Sequence, residues 1–255
     1  MTILAVVKDV CAAVGVMVPT SIFSGLQANR TMQEMLALAN EMAQRMAYDT
    51  REWTKLKTST TFIGDGAITH LPGDPPEGVF RGTSAFNLPA NYKRMLLTTN
   101  VWRSSTMQQP MLFIPDTDKW MQRRAGDGSS GSWTAAGYVG GSTWGEWTLL
   151  GDQMHIAPVM PVGVNASFAY LDKNCVTRAA GGYGDTFIED GDSYRLDERL
   201  LKLNMIWQWK ANKGTPYAED MGTYSDALMM ATGADKPAPM LISRSPPGGY
   251  SAQFL

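Results

Sequence analysis

At 255 residues and 27.9 kDa the chain can bury one large core or two modest ones, so folding requires neither a metal nor a disulfide. A formal net charge of −2 gives no overall basic field, which disfavours a sequence-reading nucleic-acid module. The 18% charged content, with 25 Gly, 17 Met and 8 Trp, points to extensive loop and contact surface.

Ile3, Val7, Val10 and Val14 recur at i, i+4, i+7 and i+11, with Thr2 placed to cap and Gly15 to stop. This spacing predicts an amphipathic helix over 3–14. The apolar start has no basic leader and holds Lys8 and Asp9 in its middle, so it does not read as a signal peptide. No other stretch approaches the roughly 20 apolar residues of a membrane span. Pro19 to Gly25 interrupts the pattern. Met32, Met35, Leu36, Ala39, Met42, Ala43 and Met46 then rebuild it as a helix from Arg30 to near Tyr48.

From Thr58 the period changes to two, and short strands are expected at 58–63, 78–88, 109–114, 146–150, 153–157 and 165–171. Gly151-Asp152 is the two-residue turn of a hairpin. Pro115 leads a short helix expected over 116–123. Residues 126–145 hold seven Gly with Trp133, Tyr138 and Trp144, and read as a long surface loop carrying aromatic side chains. After Asp190 the helical period returns in Leu196, Leu200, Leu203 and Trp207, with Asp197 and Glu198 in the first turn and Gly214 as the stop. Thr215 is placed to cap a last helix, with Pro216 in its first position and a buried face of Tyr217, Met221, Tyr224 and Leu228 closed by Gly233.

The two histidines, His70 and His155, and the two cysteines, Cys11 and Cys175, show no zinc-type spacing; the cysteines fit a reducing compartment as small buried hydrophobes. Asp190-Gly191-Asp192 lacks the spaced carboxylates of a calcium loop and reads as a turn leading a helix. Gly126, Gly128 and Gly131 satisfy GxGxxG but stand between no strand and helix, so they read as loop. No nucleophile elbow supports a Ser-His-Asp site, and His155 inside an alternating strand reads as structural. No catalytic residue, metal or cofactor is therefore expected, and the protein reads as no enzyme.

Residues 196–231, LDERLLKLNMIWQWKANKGTPYAEDMGTYSDALMMA, resemble the C-terminal helix pair of the head-to-tail adaptor (neck, head-completion) proteins of tailed bacteriophages. Agreement continues through LALANEMAQ at 36–44, REWTKLKTSTTF at 51–62, FNLPANYKRM at 86–95 and the aromatic strand at 109–115; residues 64–83 and 126–145 depart from the family pattern. The resemblance implies a structural virion protein, forming a homo-oligomeric ring, twelve subunits to match the portal, that extends the DNA channel. Its implied partners are the portal protein, neighbouring adaptor subunits, the next neck or tail component and genomic DNA passing without sequence specificity. No membrane is involved, and the implied location is the virion neck, reached from the host cytoplasm. Other readings are a stopper or tail-completion protein, a carbohydrate-binding tail protein using Trp133, Trp144 and Trp147, and a cell-wall enzyme.

The expected fold class is α+β. A four-helix bundle over 1–57 and 192–233, built from the N- and C-terminal helix pairs, would frame an inserted, mainly antiparallel, sandwich- or barrel-like β domain over 58–191. Residues 234–255 would form an extended arm. Its candidate protein-binding residues are Pro237, Pro239, Met240, Leu241, Ile242, Arg244, Tyr250, Phe254 and Leu255, directed at the portal or a neighbouring subunit.

Overall fold

The Thr2 hydroxyl accepts from the Ala5 amide, and Gly15 takes φ 72°, so the first helix begins and stops where its sequence predicts. The computed structural model describes residues 1–24, 29–66, 83–104, 110–125, 145–157 and 159–235, with backbone alone over 122–125. Within them the fold is mixed α+β, with five helices: α1 (Ile3–Val14), α2 (Arg30–Tyr48), α3 (Thr117–Ala125), α4 (Glu198–Asn212) and α5 (Ala218–Ala234). Asn29 caps α2 by accepting from the Thr31 and Met32 amides, and Asp197 caps α4 by accepting from Arg199. Helix α4 is the common neighbour, packing against α1, α2 and α5.

That central position changes the expected face of α4. Leu200, Leu201, Met205, Ile206 and Trp209 are buried, whereas Leu203 and Trp207 of the expected stripe are only half-buried. A single stripe is the wrong template for a helix touched on several sides. Helix α5 departs further. It starts at Ala218, runs through Gly233 and buries no residue; Tyr217 and Met221 are exposed, and Tyr224 and Leu228 half-buried. Thr215 does not cap it. Its hydroxyl donates to the Lys210 carbonyl, closing α4 instead. Helix α3 extends to Ala125, with the Asp116 carboxylate accepting from the Asp118 and Lys119 amides.

Between the helices lie β1 (Lys57–Ile63), β2 (Ser84–Asn87), β3 (Tyr92–Met95), β4 (Trp102–Arg103), β5 (Leu112–Phe113), β6 (Glu146–Leu150), β7 (Gln153–Ala157) and β8 (Asn165–Asp172). They are followed by β9 (Val176–Thr177), β10 (Tyr183–Gly184) and β11 (Ser193–Tyr194). In one sheet β8 pairs antiparallel with β1, from Lys57 opposite Leu171 to Ile63 opposite Asn165, and with β3 and β4 on its other side. A second sheet runs β2-β7-β6-β5, all antiparallel except β5 beside β6. The Met111 amide donates to the Val101 carbonyl at 2.9 Å and links the two sheets along one side. The predicted hairpin is present, with Gly151 at φ 59° between β6 and β7. Of the strands expected at 78–88 and 109–114, only Ser84–Asn87 and Leu112–Phe113 are strand among the described residues.

Two apolar clusters organise the chain, and β8 belongs to both. Ala166, Phe168 and Tyr170 point into the cluster shared by the two sheets, where Phe62 of β1 stacks on Phe86 of β2 at 4.9 Å. Leu171, one residue on and therefore on the opposite face, joins the cluster of the helices. That helical cluster also takes in Cys175, Val176, Phe187 and Tyr194, so the small sheet β10-β9-β11 packs with the helices.

Candidate interaction surface

The side chains that could have formed a reaction centre serve as internal ties. Asp192 is fully buried; its carboxylate accepts from the Ile188, Glu189 and Ala179 amides and from Arg178 Nη1 at 3.0 Å. Burial alone would raise its pKa, but those amides and the guanidinium outweigh that effect and hold it below the ordinary carboxylate value. The Asp192 and Asp190 carbonyls accept from the Ile3 and Leu4 amides, and the Asp190 carboxylate accepts from Ser21 Oγ and the Ile22 amide. Asp190-Gly191-Asp192 thus leads β11 and anchors the start of α1. It does not lead a helix as expected, because α4 begins only at Glu198 behind its own cap.

Arg195 Nη1 reaches Asp172 Oδ2 at 2.8 Å, and Arg94 Nη1 reaches Glu52 Oε1 at 2.7 Å; the second pair fastens β3 to the segment after α2. Cys11 and Cys175 are both buried free thiols, and burial pushes the Cys175 pKa up to about 11. His155 is buried within β7. Among the described residues no group of three His, Cys, Asp or Glu could hold a metal, and no helix is long and apolar enough to cross a membrane.

The surface suited to binding another protein is α5 and its junction with α4. Trp207 meets Tyr217 and Tyr224 with ring centroids 6.3 and 6.2 Å away, and Lys210 Nζ reaches Asp220 Oδ2 at 2.6 Å. The far end of α5 is pinned by Asp235, whose carboxylate accepts from the Thr54 amide at 3.1 Å and lies 3.4 Å from Arg51 Nη2. Held at both ends, the helix leaves Met229 and Met230 71% and 75% exposed. A groove of about 420 Å³ runs between its C-terminal half and the start of α4, with Leu200, Ala227, Met230 and Ala231 as its apolar lining and Asp197, Arg199 and Asp226 as its charged lining.

Residues 218–235 contain Glu219, Asp220, Asp226 and Asp235 and no Lys or Arg. Asp220 and Asp235 are paired as above, whereas Asp226 forms no ion pair among the described residues. A second group of exposed apolar side chains, Trp102, Leu112, Phe113 and Met121, lies on β4, β5 and α3.

The nine arm residues named from the sequence, from Pro237 to Leu255, lie outside the described residues, as do His70, Trp133, Tyr138, Trp144 and the GxGxxG segment. Trp147 is buried between the sheets against Phe113, at 4.5 Å between centroids, so it offers no exposed platform for a sugar. The acidic, methionine-bearing face of α5 escaped the periodicity because its spacing resembles that of a buried stripe; the run of four acids without a base was the readable signal. No protein-family model matches the chain, and no curated protein matches it.

Proposed function

We propose that the chain is a structural virion protein of a tailed bacteriophage, a head-to-tail adaptor whose copies form a ring beneath the portal and extend the DNA channel. The observation that carries this reading is α5, a 17-residue helix with no buried residue and with Met221, Met229 and Met230 exposed. One side of the helix packs Tyr224, Ala227, Leu228 and Ala231 against the helical core, so it is the exposed methionines that offer apolar surface to another molecule, and a closed ring requires a different complementary face on each side of every subunit. The sequence resemblance of residues 196–231 supplies the family.

In this reading α1, α2 and α5 gathered around α4 form a four-helix bundle. The two sheets sharing one core form its sandwich- or barrel-like insert. The arm binds the portal or a neighbouring subunit, the next neck component docks below, and chemistry is no part of the role. Contact with the genome is weak and indifferent to sequence, as the net charge of −2 supports. Electron microscopy of virions carrying a labelled copy of this chain tests the reading: density at the portal vertex is expected, and a label on the capsid shell or tail tip rules it out.

A further inference from the structure

We infer that the α4–α5 groove receives the C-terminal segment, residues 236–255, of a second copy of this chain. The groove offers an apolar lining with three charged side chains, Asp197, Arg199 and Asp226, of which the two carboxylates outnumber the one cation and Asp226 has no ion-pair partner among the described residues. After Asp235 the sequence KPAPMLISRSPPGGYSAQFL contains Lys236 and Arg244 and no acid. It places Met240-Leu241-Ile242 two residues before that arginine. The apolar triplet matches the lining, and Arg244 is then within reach of the carboxylate, where a guanidinium–carboxylate pair adds direction to the contact.

The occupant comes from another copy because of how the segment leaves its own helix. Asp235 is held by Thr54 and Arg51, which fixes the point of exit. Lys236 and Ala238 each precede a proline and are thereby biased to extended backbone. At about 3.1 Å per residue an extended segment would span roughly 15 Å between Asp235 and Met240. Its own groove runs back along α5 by about 1.5 Å per residue, in the direction opposite to helix propagation. The groove reaches Ala234, so filling it from its own chain would need a reversal within the few residues after Asp235, and the bias of Lys236 and Ala238 away from helical backbone disfavours a tight helical turn there. Prolines also reduce the entropy lost when the segment orders on binding.

The inference rests on the adaptor reading only for the ring that such a link would join. Its test uses the full-length chain and a fluorescein-labelled peptide of residues 236–255, followed by fluorescence anisotropy. Saturable binding is expected below about 1 mM peptide. Asp226→Lys and Met230→Glu in the protein should each weaken it at least about tenfold, while Val162→Glu, on the β side, leaves it unchanged. Leu241→Asp with Ile242→Asp in the peptide should abolish binding without any question of misfolding. Absence of saturable binding, as when a chain's own segment fills its groove, overturns the inference, and so does binding indifferent to the groove substitutions. Portal attachment without peptide binding sinks this inference and leaves the adaptor reading; peptide binding without portal attachment does the reverse.

Discussion

Asp192 has no exposed surface and faces three amides and one guanidinium, so its carboxylate is held charged by donors alone. Asp192→Asn keeps the shape but turns an amide NH₂ towards N–H groups, leaving donors against donors and Arg178 without its counter-charge. The expected loss is about 3 kcal/mol in urea unfolding at neutral pH. The sign of the pH dependence follows from the lowered folded-state pKa. Below the ordinary value near 3.9 the unfolded chain takes up the proton first, so this contribution is complete above that value and is lost as pH falls through the folded pKa. Wild type should therefore lose stability more steeply than Asp192→Asn below about pH 4, and parallel profiles would refute the role given to Asp192. The two thiols behave in the opposite electrostatic sense, with burial raising the pKa of Cys11 and of Cys175. Ellman's reagent should find neither in the native protein at neutral pH and both in denaturant; rapid native reaction would contradict their burial.

At the end of β1, Gly64 lies so close to the turn before β8 that a Cβ there would sit 2.4 Å from the Pro161 carbonyl oxygen and 2.7 Å from that of Met160. Gly64 also donates to the Val164 carbonyl, and its own carbonyl accepts from Gly163, so backbone holds backbone at this corner. Gly64→Ala should cost about 1–3 kcal/mol by forcing these segments apart. A urea midpoint unchanged from wild type would show that the corner yields freely. Such an approach of segments far apart in sequence cannot be read from local pattern, whereas caps and turns can. Thr2, Gly15 and Gly151-Asp152 were legible because their chemistry acts within four residues. The strands β3, β4, β9, β10 and β11 were not, because two- to four-residue strands carry too few side chains to show a period and are held by partners such as β8. The same limit hid the face of α5: local spacing showed a helix but could not show that α4 leaves its outer side uncovered. For the interaction surface, the acidic run was visible in the sequence, and the groove emerged only from packing.

For the whole molecule, the described fold draws its stability from two cores that both lie before residue 236. One gathers α1, α2, α4 and the small sheet, and the other lies between the two larger sheets. Asp235 closes α5 onto residues 51–54 through contacts that do not involve anything beyond it. Removing residues 237–255 should therefore leave far-ultraviolet circular dichroism and the thermal midpoint within about 2 °C of wild type, since both described cores and the Asp235 contacts stay in the shortened chain. Attachment should respond differently. The proposed link between copies is a single weak one, so the full-length chain should be largely monomeric at micromolar concentration in sedimentation. Copies gathered on a ring-shaped template meet one another at a high effective concentration, and weak links between neighbours then become strong together. If the proposed adaptor role and inter-copy link hold, the shortened chain lacks those links and co-sedimentation with portal particles should fall by at least about tenfold. Attachment unchanged by the deletion would show that neither the portal nor a neighbouring copy depends on the arm, and stable rings of the pure full-length protein would show that no template is needed to gather the copies.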